Sequence, residues 1–156
     1  MQRGRVFVSP VTVGVALGVV LSGCSPNLPV AELFDRKTAQ CNSLVEVGNS
    51  AVAEVQAVMN NSNPSDVEAL AKIAQIADET AATMRSLDLQ DPQLQQLRDR
   101  YVNMYADTSA STRALISANN QQNSAAAQQA YTALQAATGQ EGMLVNEVNE
   151  YCRSEQ

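Results

Sequence analysis

The sequence predicts an all-α protein, an antiparallel up-down-up-down four-helix bundle preceded by a separate apolar segment. Three observations predict it. From residue 30 onward, apolar residues recur at steps of three and four, and no sustained polar–apolar alternation marks a strand. Beyond residue 24, proline occurs only at Pro26, Pro29, Pro64 and Pro92, so no proline interrupts a periodic stretch. The connections between these stretches are short and polar, which makes successive helices antiparallel neighbours.

The first predicted helix covers residues 30–60. Val30, Phe34, Lys37, Cys41, Leu44, Gly48, Ala51, Val55 and Val58 form a heptad seam with one charged and one glycine defect. Asn60-Asn61-Ser62-Asn63-Pro64 ends it. The second helix opens at Ser65, where Ser65-Asp66-Val67-Glu68 reads as a capping box, and it ends near Leu87. Its stripe is Val67, Leu70, Ala74, Ala77, Ala81 and Met84, widened by Ile73 and Ile76. Asp91 is the expected N-cap of the third helix and Pro92 its first residue. Leu94, Leu97, Tyr101, Met104, Thr108, Ser111, Leu115 and Ala118 carry its seam into a polar turn at 119–123. The fourth helix covers 124–153, with Ala127, Ala130, Leu134, Ala137, Leu144, Val148 and Tyr151 on one face. Gly139 and Gly142 lie inside it; each costs about 1 kcal/mol relative to alanine, so a bend or fray is expected there.

Much of the seam is alanine. Alanine lets helices approach closely but buries little area per residue. The expectation is a slender rod, about 45 Å long for a helix of about 30 residues, with no large central cavity.

The segment before the bundle says where the protein works. Arg3 and Arg5 precede an apolar run, residues 6–20, that closes on Leu21-Ser22-Gly23-Cys24. A basic start, an apolar middle and small residues at a cut site make a secretory signal. Ending on cysteine, it resembles the lipobox of bacterial lipoproteins. That resemblance implies that Cys24 carries fatty acyl groups such as palmitate and that residues 1–23 are a signal peptide removed just before it. Residues 24–29 are then a lipidated tether, and 30–156 the bundle. An ordinary signal peptide with a nearby cysteine is the alternative. The resemblance also implies an extracytoplasmic, lipid-anchored protein. Ser25 in place of Asp after the acylated residue leans toward the outer membrane, facing the periplasm, where the host has one. Lipidated cysteine, tether and bundle together are similar in architecture to the small lumenal lipoproteins that attach to photosystem II in cyanobacteria. The stretch 146–152 is similar in character to other small cyanobacterial four-helix lipoproteins.

Removing 23 of the 156 residues leaves 133, enough for one domain with a real core. Two of the ten basic residues go with the leader, so eight face sixteen acidic ones and the net charge becomes −8. Such a chain repels nucleic acid and anionic headgroups, so no nucleic-acid partner is expected and the acyl chains do the anchoring. The sequence ends at Gln156 with no second apolar span, which would leave it unable to signal inward by itself.

Cys41 and Cys152 remain as an even pair in an oxidising compartment, which reads as a disulfide; two unpaired buried thiols are the alternative. In an up-down bundle the first and last helices are adjacent and opposed, which brings both cysteines toward the anchored end. Closing a loop of 111 positions (152 minus 41) is worth about 4–5 kcal/mol in the chain-entropy account.

The chain has no histidine, which removes the usual general base, the commonest metal ligand and the Ser-His and Cys-His nucleophile pairs. It has no phosphate-binding loop or dinucleotide fingerprint. No metal, cofactor or enzymatic activity is expected. The acidic groups Asp78-Glu79, Asp99 with Asp107, and Glu141, Glu147 and Glu150 read as solvated helix faces before they read as a weak Ca²⁺ site or a docking face. Arg98, Arg100 and Tyr105 are the candidate partner-binding residues: arginine and tyrosine are common interface anchors, and Tyr105 lies off the seam that takes Tyr101. The first functional expectation is therefore a non-enzymatic module binding a protein at the membrane surface. The second is a bundle that binds or senses a small molecule between its helices.

Overall fold

The computed structural model describes residues 30–63 and 66–153, with side chains from Arg36 onward in the first helix. The predicted signal peptide 1–23, Cys24, the tether 24–29, Ser65 and the Phe34 side chain lie outside the described residues. Five helices make up the regular structure: α1 (Val30–Asn61), α2 (Val67–Ser86), α3 (Pro92–Asn120), α4 (Ser124–Thr138) and α5 (Glu141–Arg153). No strand occurs among the described residues, and none of their helices is long and apolar enough to cross a membrane.

The helix starts follow from their caps. Asp66, not Ser65, caps α2: its carboxylate accepts the Glu68 N–H at 3.0 Å, one residue later than the capping box implied. Aspartate caps as well as serine, and its extended backbone lets the helix begin at Val67. Asp91 caps α3 as expected, accepting from Gln93 N–H at 2.8 Å and Leu94 N–H at 3.0 Å, with Pro92 in the first turn. Asn123 caps α4 by accepting from Ala126 N–H at 3.1 Å. Gln122, in the turn before it, takes a positive φ of 54°. The predicted fourth helix divides at Gly139-Gln140 into α4 and α5.

The helices pack as a bundle. α3 contacts α2 on one side and α4 on the other, and touches α5 and α1 as well, while α1 packs on α2 and α5. Cys41, Leu44 and Ala51 on α1 are buried in seam order, and Val55 and Val58 are half-buried. Every predicted seam residue of α3 is buried except Leu115, which is half-buried. Val67, assigned to the α2 stripe, is 42% exposed because it stands at the helix's open N-terminal turn. Four further α3 residues, Val102, Tyr105, Ser109 and Thr112, are buried beside the seam, since a helix flanked by two neighbours hides a wider arc than one face.

Large side chains are not spread evenly along this bundle. Leu44, Met84, Leu94, Leu97 and Leu144, each at most 1% exposed, gather near the Cys41–Cys152 end. Toward the other end the buried residues are Ala69, Ala74, Thr108, Ser111, Thr112, Ala118 and Ala130. The sequence led to no expectation of a large central cavity, and the hollows between these helices are small or open to solvent. A chamber of about 180 Å³ opens between the helices past Ala51, and it shares Ile73, Thr108 and Thr138 with a groove of about 510 Å³ beyond. Val55, Ile73, Ile76, Met104 and Tyr105 line the chamber without filling it.

Candidate functional site

Of the three residues expected to form a partner-binding patch, none stands on the surface unengaged. Arg98 donates to Asp99 at 2.9 Å and to the Leu87 carbonyl at 3.4 Å, tying α3 to the end of α2. Arg100 forms a two-pronged pair with Glu147 of α5, one arm at 2.9 Å. Tyr105, expected on the surface, is only 7% exposed and stacks on Tyr101 with ring centroids 6.2 Å apart. Position 105 follows Tyr101 by one turn on the inner arc of α3, where α1 and α2 cover it.

The Cys41–Cys152 end is tied together at several points. The two cysteines stand at disulfide distance, their Cα atoms 6.1 Å apart, linking α1 to α5. One helical turn before Cys41, Lys37 places its ammonium 3.8 Å from the centre of the Tyr151 ring. The Tyr151 hydroxyl donates to Asp91 at 2.7 Å, so the α3 cap is bound to α5. Gln40 accepts from the N–H groups of Gln90 and Asp91, the latter at 3.0 Å, which binds the α2–α3 connection to α1. Burial alone would raise the Asp91 carboxyl; hydrogen bonds from Leu94 N–H, Tyr151 O–H and Gln93 N–H, with the Lys37 charge, hold it below its ordinary value.

The chamber lies further along. Ala51 and Val55 of α1, Ile76 of α2, Met104 and Tyr105 of α3 wall it, and Thr138 and Glu141 border it across the α4–α5 break. Its surface is almost wholly apolar carbon. Thr108 and Thr138 direct their hydroxyls into their own helices, donating to Met104 at 2.8 Å and Leu134 at 3.0 Å. Gln56 and Glu141 are the polar side chains at its edge, and behind the Tyr105 ring the Tyr105 hydroxyl is fully buried with no hydrogen-bond partner. Burial, then the negative charge of Glu141, pushes the Tyr105 phenol well above its ordinary value, and burial likewise pushes Tyr101 up to about 12. Both therefore keep their protons at any physiological pH, and Tyr105 is a hydrogen-bond donor without an acceptor.

The groove beyond the chamber is bounded by Met59, Leu70, Leu115, Tyr131 and Leu134. Its rim is exposed: Met59 is 41% and Tyr131 47% accessible. The sequence signals for this site were Thr108 on the α3 seam, Thr112 beside it, and Gly139 at the break between α4 and α5. Val45, Val52 and Met59, spaced by seven beside the α1 seam, added a third. A larger hollow, about 710 Å³, borders the α1–α2 connection, but it is rimmed by Asp66, Glu68 and Lys72 and open to solvent.

Among the described residues no group of three or more aspartate, glutamate or cysteine side chains is placed to hold a metal ion. Asp78 pairs with Arg113 at 2.6 Å, bracing α2 on α3; that hydrogen bond is the main reason its carboxyl is held low. No family model, curated protein or solved structure matches the chain, so its function is argued from this site.

Proposed function

We propose that the chain is an extracytoplasmic lipoprotein, anchored through Cys24, whose helical domain is a non-enzymatic module that binds a small apolar molecule between its helices. The observation that carries the binding reading is the largely apolar hollow walled by Val55, Ile76, Met104 and the Tyr105 ring. The anchoring reading rests on Arg3, Arg5, the apolar run and Leu21-Ser22-Gly23-Cys24. The up-down-up-down arrangement of the helices draws support from Asp78–Arg113, Arg98–Leu87, Arg100–Glu147 and Cys41–Cys152, each consistent with neighbours running in opposite directions. A protein partner, the sequence's first expectation, is the second reading, although Arg98 and Arg100 engage in internal pairs and Tyr105 is buried.

The test is native mass spectrometry of the lipoprotein gently extracted from its own membranes. A small molecule released on unfolding supports the reading. A stoichiometric protein partner and an empty domain would overturn it in favour of a protein-binding module. A mature chain that starts elsewhere than Cys24, or carries it underivatised, would overturn the anchoring.

A further inference from the structure

We propose that a second copy of this chain docks on the side of the bundle between α1 and the α4–α5 pair, with the two α1 helices parallel. The inference goes beyond the small-molecule reading and rests on the lipid-anchor reading for its orientation. Apolar exposure comes first. Among the described residues seven large apolar side chains are exposed, and five of them lie on this side: Val45, Val52 and Met59 of α1, Tyr131 of α4 and Val145 of α5. Gathered on one side rather than scattered singly, they mark an interaction surface. On α1 the exposed positions Val45, Asn49, Val52, Gln56 and Met59 step by four and three, beside the inner seam through Leu44 and Ala51. That is the spacing of a two-stranded coiled-coil seam. Two uncharged amides within it can pair with their counterparts, which fixes register and partner number at a cost in affinity.

Charge comes second. Sixteen acidic side chains stand against ten basic ones, so two copies repel except where charge is sparse. No charged residue occurs from 114 to 140, a stretch that includes all of α4. Among the residues lining the hollows on this side, Glu141 alone is charged. The α1–α2 side carries Glu46, Glu54 and Glu79, and the pairs Asp78–Arg113 and Arg100–Glu147 bridge other helix boundaries. A foreign partner recruited by charge would meet those surfaces; an uncharged face on an acidic chain suits the same face of its own copy. Extent comes third. α1 from Thr38 to Asn61 measures about 35 Å and two helices side by side about 20 Å, so the face offers about 700 Å², close to the roughly 800 Å² per partner that a specific interface buries. Copies acylated at Cys24 stand on one membrane with α1 pointing the same way, at a raised local concentration that lets a weak seam suffice.

The test uses the lipoprotein in its own membranes, with one added cysteine and a mild oxidant, read as cross-linked dimer without reduction. Val45→Cys and Met59→Cys should each link to their own counterpart, while Asn103→Cys, exposed on α3, should not. Adding Val52→Glu to Met59→Cys should cut the dimer about tenfold or more, since like charges then face each other across the seam. Helicity and the Cys41–Cys152 bridge should be unchanged. Adding Val52→Leu instead should keep the dimer within about twofold. Equal linking at Asn103 and Met59, linking of Val45→Cys only to Met59→Cys, or capture of a different protein by these cysteines would each overturn the parallel second copy. An anchored chain that does not link overturns this inference alone. A chain missing from the membrane fraction overturns the anchor reading and the parallel orientation with it.

Discussion

From Cys41 to Ala51 on α1 the bundle buries Leu44, Met84, Leu97 and Leu144, none more than 1% exposed, and is fastened by the cysteine pair; the hollow of about 190 Å³ beside Leu44 and Val148 is edged by Asn49, Glu141 and Asn149. Beyond Ala51, Val55, Ile76, Met104 and Tyr105 wall a largely apolar hollow. The two ends share helices and differ in side-chain volume and cross-linking. Leucine and methionine fill the space between helices and fix their separation. Past Ala51 the larger side chains Val55, Ile73, Ile76 and Met104 line a space without filling it.

The comparison can be broken most directly at the cross-link. Cys41→Ser or Cys152→Ser should cost about 2–5 kcal/mol, read as a lower urea midpoint, with most helicity kept at low temperature. Unchanged stability would mean that the fastened end owes little to its bridge.

The next test sets one leucine against another. Leu144, 1% exposed at the fastened end, should cost about 2–5 kcal/mol when changed to alanine. Leu134, half-buried beside the groove, should cost clearly less, because part of its surface already meets solvent. Equal losses from Leu144→Ala and Leu134→Ala would erase the distinction between the ends.

Acid should act through the fastened end as well. The Asp91 carboxyl is held below its ordinary value in the fold. The stability it contributes is therefore complete above the unfolded value, about 3.9, and is lost as pH falls through the lower folded value. Unfolding free energy should be level from about pH 7 to 5 and decline below about 4. Asp91→Asn should make that decline shallower, since Asp78 and Glu147, also held low, supply the rest. A decline of the same steepness in the variant would contradict the role given to Asp91.

The smallest effect is expected at the far turn. Gln122 holds a φ of 54°, which glycine adopts without strain. Gln122→Gly should raise stability by about 1 kcal/mol or less, and a loss would mean that its side chain matters more than its backbone.

How far the sequence revealed these ends differs between them. The seams of α1 and α3, the caps at Asp91 and Pro92, the break at Gly139 and the pairing of Cys41 with Cys152 were legible. Each depends on local chemistry or on a period within one helix. The second buried arc of α3 was not: Ser109 and Thr112 carry no apolar signal, and Tyr105 is off the seam by one position. Their burial depends on α3 having α2 and α4 on either side. The chamber was less legible still. Periodicity tells which residues face inward, but a cavity depends on which ones face each other at one level. Val55, Ile76 and Met104, which line the space, read in the sequence only as apolar residues on or beside their stripes.

Xenon tests the account most directly, because it enters dry apolar cavities and makes no hydrogen bonds. NMR of the protein under xenon pressure should show shifts that saturate at Ala51, Val55, Ile76 and Met104, with Leu94, Leu97 and Leu144 unmoved. Xenon shifts centred on those leucines, or none at the chamber walls, would contradict the claim that the apolar hollow of this bundle lies past Ala51.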